Sequence, residues 1–184
     1  MRDIFNSWRC FSLNEESGVL ICTWPKGGKP AIPLPYNTEA MHGFEWTFAA
    51  HLAMLGMTDQ ATEIAASIRS RYDGEKRNPW NEIECGSNYA RSMAAYGLLC
   101  TCSGFTFDLR EGALGFAPKI PMENFVTFWS VGTAWGTVSI AENQAELRVI
   151  SGEIFLRKLT LPFGEFHPDR HLCAGDLCKM QKQD

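Results

Sequence analysis

The sequence has no apolar run near the roughly 18 residues that a membrane-spanning helix needs, so no membrane span is expected. It has no basic tract either. With 17 Lys and Arg against 21 Asp and Glu, the net charge is -4, which argues against nucleic acid as a partner. The first residues, MRDIFNSWRCF, lack the continuous apolar stretch of a secretory signal. No internal repeat and no low-complexity segment is evident. The seven cysteines show no disulfide framework, and a chain of 184 residues has no need of one. Free thiols and a cytoplasmic location are therefore expected. Cys173 and Cys178, with His171 nearby, fit no standard zinc spacing, so neither metal nor other cofactor is expected.

What is present suits a globular domain: 45% apolar and 21% charged residues, enough to bury a sizeable core. The clearest helix runs from about Thr38 to Leu55, where Met41, Phe44, Phe48, Leu52 and Leu55 recur at three- and four-residue steps. Gly56 ends it, because glycine reaches left-handed angles cheaply. A second helix follows from Thr58, with Ala61, Ile64, Ala65, Ile68 and Tyr72 as its stripe. The tight link between the two predicts a helical hairpin. A third helix is expected from about Ser87 to Ser103, with Tyr89, Met93, Tyr96 and Cys100 on one side; Gly97 inside it costs about 1 kcal/mol relative to Ala. After Gly104 the period shortens to that of strands, and GTVSIAENQAELRVISGEIFLRKLTL reads as a β-meander. The division expected is a helical part over 1–104, a β-rich extension over 105–163 and a loose tail over 164–184.

The chemistry concentrates in residues 71–93, RYDGEKRNPWNEIECGSNYARSM. Glu82 and Glu84 approach the start of the third helix, where free N–H groups and the helix dipole favour carboxylates. Asn88 and Arg91, three apart, share a face of that helix. Carboxylates, an amide, a guanidinium and the indole of Trp80 together suit a sugar. Its hydroxyls donate to carboxylates and accept from arginine, and its C–H faces pack on an aromatic ring. Composition alone favours a plainly solvated loop with structural Glu–Arg pairs. Glu39 and Glu45 read first as exposed or capping residues, and His42 and His51 as ordinary helix positions. Glu82 and Glu84 make a poor catalytic pair by themselves. Alternate residues of an extended segment point the same way, whereas glycosidase carboxylates, about 5–5.5 Å or 6.5–9.5 Å apart, flank the scissile bond.

The stretch RYDGEKRNPWNEIECGSNYARSMAAYGLL resembles the C-terminal signature of glycoside hydrolase family 116, the β-glucosidases and non-lysosomal glucosylceramidases. GFEWTFAAHLAMLGM upstream and LCTCSGFTFD downstream extend the resemblance over about residues 1–135. It implies part of an (α/α)6 toroid, so the fold expected is mainly α with a β-rich end. It also implies a retaining β-glucosidase whose nucleophile Glu and acid/base Asp lie on segments outside this chain. Glu82 and Arg91 would then hold the outer hydroxyls of glucose, as acceptor and donor. Trp80, Glu84 and Asn88 would support them, and Glu39 would match a family glutamate on the preceding helix. Two positions after that glutamate, many relatives have Trp where this chain has Met41. A toroid needs twelve helices and the sequence supplies about three or four. The chain is therefore expected to be a fragment, inactive alone, with a β-glucoside substrate and the remaining N-terminal part of the enzyme as partners. The rival expectation is a non-catalytic helical module that binds sugar or a partner chain.

Overall fold

The computed structural model describes residues 12, 14–32, 37, 39–81, 92–120 and 123–182. The chain divides into two compact units, Met1–Leu99 and Cys100–Asp184.

In the first unit, α1 (His42–Met54) and α2 (Thr58–Arg71) pack together as a hairpin. The turn closes α1 with two backbone bonds, Gly56 N–H to Ala53 O at 3.0 Å and Met57 N–H to Leu52 O at 2.9 Å. This is the Schellman arrangement, and it requires the left-handed angle that Gly56 adopts, φ 79°. The buried face of α1 carries His42, Glu45, Ala49, Leu52 and Ala53. Phe44, Phe48 and Leu55, expected on the core stripe, are exposed. Ala49 and Ala53 are buried while the larger Phe44 and Phe48 are not, so the most apolar face of the helix is not the packed one. On α2 the buried set is Ala61, Ile64, Ser67, Ile68 and Arg71.

The start expected for the third helix, near Ser87, lies outside the described residues. A short 3-10 turn, Ser92–Ala94, leads into α3 (Ala95–Ser103). Met93, Tyr96 and Cys100, expected on an apolar stripe, are exposed, and Ser103 is the buried residue of α3.

The second unit is built from strands: β1 (Thr106–Asp108), β2 (Ala113–Gly115), β3 (Phe125–Ser130), β4 (Ala134–Ile140), β5 (Gln144–Leu156), β6 (Lys158–Leu161), β7 (Gly164–Phe166), β8 (Arg170–Cys173) and β9 (Leu177–Gln181). One sheet runs β1-β2-β6-β7, with β2 and β6 parallel. The other runs β3-β4-β5, and β8 and β9 both pair with β5. Strict alternation makes this possible: Phe125, Thr127 and Trp129 of β3 point inward while Val126, Phe128 and Ser130 point out. Leu114, Phe116, Leu159 and Leu161 of the first sheet share one apolar core with Trp129, Val138, Leu147, Val149, Leu156 and Leu172 of the second.

β5 holds this unit together. Its first half pairs with β4 and β9, and its second half, Glu153–Leu156, pairs with β8. The change of partner falls at Gly152, where φ is +79° and a Cβ would lie 2.1 Å from Thr133 O. Only glycine fits there. The register against β4 slips by one residue just before it, at Ile150.

Two expectations are overturned. The fold is not a mainly-α partial toroid: among the described residues 32% are strand and 25% helix, so it is a β-rich α+β fold. The three α-helices of the described residues do not make a ring of hairpins, and the apolar core of the second unit is shared by two sheets. The segment 164–184 is not a loose tail either. It supplies β7, β8 and β9, and Leu172, Cys178 and Met180 are buried. Its short alternation, interrupted by His167-Pro168-Asp169, conceals strands that gain their stability from pairing with β5 and β6. Among the described residues no helix is long and apolar enough to cross a membrane.

Candidate functional site

The residues singled out for sugar binding follow the C-terminal end of α2, apart from Glu39, which precedes α1. Trp80 and Glu39 are the two of them that are described. Trp80 stands in the turn Asn78-Pro79-Trp80-Asn81. Asn81 N–H donates to Asn78 O at 3.2 Å, and Trp80 N–H donates to Asn78 Oδ1 at 2.9 Å. Proline at the second position fits the turn's backbone angles, and an asparagine side chain caps it from inside. Trp80 is 71% exposed. Glu39 is fully buried just ahead of α1, and so is Glu45 within it, which corrects the expectation that both are surface residues. Neither carboxylate has contact with solvent. Glu82, Glu84, Asn88 and Arg91 lie outside the described residues.

The described geometry does explain how the loop 73–81 that presents Trp80 is held. His42 and Glu45, three apart on α1, face the end of α2. The Arg71 guanidinium donates from Nη2 to Glu45 Oε2 and from Nη1 to the Ser17 carbonyl, and reaches Ser67 Oγ at 3.0 Å. Val19 N–H donates to Glu45 Oε1 at 2.8 Å, and Ser67 Oγ donates to Ser17 O at 2.6 Å. The pair is thus fully shielded and hydrogen-bonded to a returning segment of the chain. Burial pushes the Glu45 carboxyl up from its usual range, while the Arg71 charge and the Val19 N–H pull it back. The next residue, Tyr72, lays its ring edge-on to His42, 4.4 Å between centroids.

Beyond Tyr72 the chain turns on Asp73, whose Oδ1 accepts the N–H groups of Glu75 and Lys76 at 3.0 and 2.8 Å. These bonds, that from Lys76 first, hold its carboxyl below the usual carboxylate range. Arg77 then grips Glu16 with both Nη atoms, at 2.6 and 3.0 Å, and also donates to Arg71 O at 3.0 Å. The bonds that it donates to Glu16 raise the Arg77 pKa. Loop 73–81 therefore leaves a rigid hairpin through two arginine anchors and presents Trp80 outward. The sequence reading missed both anchors. The available signal was a charged residue on each buried face: Glu45 among His42, Ala49 and Leu52, and Arg71 one turn after Ser67 and Ile68.

No family model matches the sequence, and no curated protein matches it. Among solved structures, a chain from the human microbiome provisionally named a kojibiose phosphorylase is similar at 10% identity and a TM-score of 0.44. The match covers 76% of this chain and 19% of that one, so the chain spans about a fifth of its structural neighbour's length.

Proposed function

We propose that this chain serves as the glucose-holding part of a retaining β-glucosidase and does not carry the bond-breaking groups itself. The observation that carries the reading is the run NPWNEIECG…YAR, which leaves a loop anchored by Arg77 on Glu16 and opens on the outward-facing Trp80. In this reading Glu82 accepts hydrogen bonds from sugar hydroxyls and Arg91 donates to them. Trp80 offers an apolar face for the ring's C–H groups, and Glu84 and Asn88 support the set. The nucleophile and the acid/base carboxylate come from the rest of the enzyme, because binding without them lowers no barrier.

The test is binding and turnover in parallel. Binding of methyl β-glucoside to the full chain, followed by saturation-transfer NMR, is expected to weaken about tenfold or more in both Glu82→Gln and Arg91→Ala, each loss reflecting a charged hydrogen bond. Hydrolysis of an aryl β-glucoside by the chain alone is expected to stay at background. Turnover that disappears in Glu82→Gln would replace this reading with a self-contained hydrolase. Unchanged binding in both variants would reject it.

A further inference from the structure

The second unit carries a group of side chains that the sugar reading does not use. β5 and β8 pair antiparallel, with Glu153 opposite Cys173 and Phe155 opposite His171. Residues facing each other across a pair share a face, and alternate residues of one strand do too. Glu153, His171 and Cys173 therefore stand together on the outer face, while Ile154, Leu156 and Leu172 fill the core beneath. One donor atom from each, a carboxylate oxygen, an imidazole nitrogen and a thiol sulfur, lies within 4.8 Å of the other two. His171 Nε2 is 3.4 Å from Glu153 Oε2.

We propose that Glu153, His171 and Cys173 form a zinc-binding site. Oxygen, nitrogen and sulfur donors together suit a borderline cation, and zinc takes all three at about 2.0–2.3 Å. Around a tetrahedral zinc such donors are about 3.3–3.8 Å apart. The two nearest here are already at 3.4 Å, and side-chain rotation of about 1 Å closes the rest. Three protein ligands leave the fourth position to water.

The backbone is already fixed for this. Cys173 N–H donates to Asp176 Oδ2 at 2.8 Å, and Asp176 N–H donates back to Cys173 O at 2.9 Å, which pins the turn after β8. The same turn is tied to β5 through Gly175 N–H to Val149 O at 2.9 Å. The ligands thus sit on paired strands over a packed core, which limits the ordering cost on binding. The structure also removes the other metal arrangement that the sequence offers. Cys178 is buried on β9 and hydrogen-bonds to Met180 at 3.6 Å. Glu153, 18 residues before His171, takes its place.

The experiment uses metal-free full-length chain titrated with Co2+ as a spectroscopic stand-in, then with Zn2+. One Co2+ per chain is expected, with the visible bands of a tetrahedral site and a thiolate-to-metal charge-transfer band, both lost on adding one equivalent of Zn2+. Cys173→Ser should remove the charge-transfer band. His171→Ala and Glu153→Gln should each weaken Co2+ binding about tenfold or more, and Cys22→Ser should change nothing. A band that survives Cys173→Ser, or affinity indifferent to both His171→Ala and Glu153→Gln, overturns the site and leaves a plain histidine–glutamate contact. Should a variant fail to fold, alkylation of Cys173 in the unmodified protein decides: Zn2+ is expected to slow it about tenfold, and an unchanged rate rejects the proposal.

Discussion

Glu45 and Arg71 meet inside the α1–α2 hairpin with both side chains fully shielded from solvent. Each is the other's counter-charge, and the bonds to Ser17, Val19 and Ser67 satisfy further polar atoms around them. Such a pair fixes one register of the hairpin and ties the chain's returning segment to it. Its cost is desolvation, recovered only while both partners remain.

Removing one partner should therefore cost far more than removing both. Arg71→Met is expected to lower unfolding free energy by about 3–5 kcal/mol, because it leaves a buried carboxylate without its counter-charge. The double variant Glu45→Leu/Arg71→Met should recover a large part of that loss. Urea denaturation of the three proteins measures it. A double variant as unstable as the single one would show that the pair acts through the Ser17 and Val19 contacts and not through charge.

Asp73 gives a pH prediction. Its carboxylate accepts two backbone N–H groups and its pKa is lowered from 3.8. A depressed folded-state pKa contributes stability above the unfolded value and loses it as pH falls through the folded one. The turn 73–76 should thus hold at pH 5 and loosen only below 3.8. Carboxyl-carbon NMR titration of Asp73 reads the value directly, and a midpoint at or above 3.8 contradicts the geometry.

Gly152 and Gly132 offer a matched pair of substitutions. At Gly152 alanine must take a left-handed angle and push against Thr133 O, so Gly152→Ala should cost at least about 1–2 kcal/mol. At Gly132 nothing lies within 4 Å of the added Cβ. Gly132→Ala should stay within about 0.5 kcal/mol. Thermal melts of the two variants test whether β5 must change partners at that one residue.

Trp80→Ala separates presentation from packing. With the indole largely in solvent, stability should change by no more than about 0.5 kcal/mol, while binding of methyl β-glucoside weakens. Loss of stability with intact binding would assign the indole to packing.

Thiol reactivity distinguishes the two C-terminal cysteines. Burial pushes the Cys178 thiol above its usual 9.0, so little thiolate exists at neutral pH. Cys173 is exposed. Iodoacetamide at pH 7.5 in the absence of metal should label Cys173 well before Cys178, as followed by peptide mass spectrometry. Equal rates would mean that β9 opens from β5.

Several features were legible from local pattern. Gly56 marks the end of α1, because the left-handed angle is a property of the residue itself. Alternation in FVTFWS and WGTVSIA marks β3 and β4, because the strand period is written into the sequence. The packed face of α1 was legible only in part: Met41 and Leu52 of the expected stripe are buried, whereas Phe44 and Phe48 are exposed although they outrank the buried Ala49 and Ala53 in hydrophobicity. The strands of residues 164–184 were hidden because three- to five-residue runs hold no periodicity of their own.

The sequence by itself determined where the chain turns, which segments alternate, and that charged and aromatic groups crowd into residues 71–93. These follow from single-residue conformational preferences and from spacing. Tertiary structure alone decided that Glu45 meets Arg71 across 26 positions, that Arg77 anchors on Glu16, and that Glu153 shares a surface with His171 and Cys173. Those meetings depend on helix docking and strand register, which are set by the summed packing of two cores and not by any local stretch of chain.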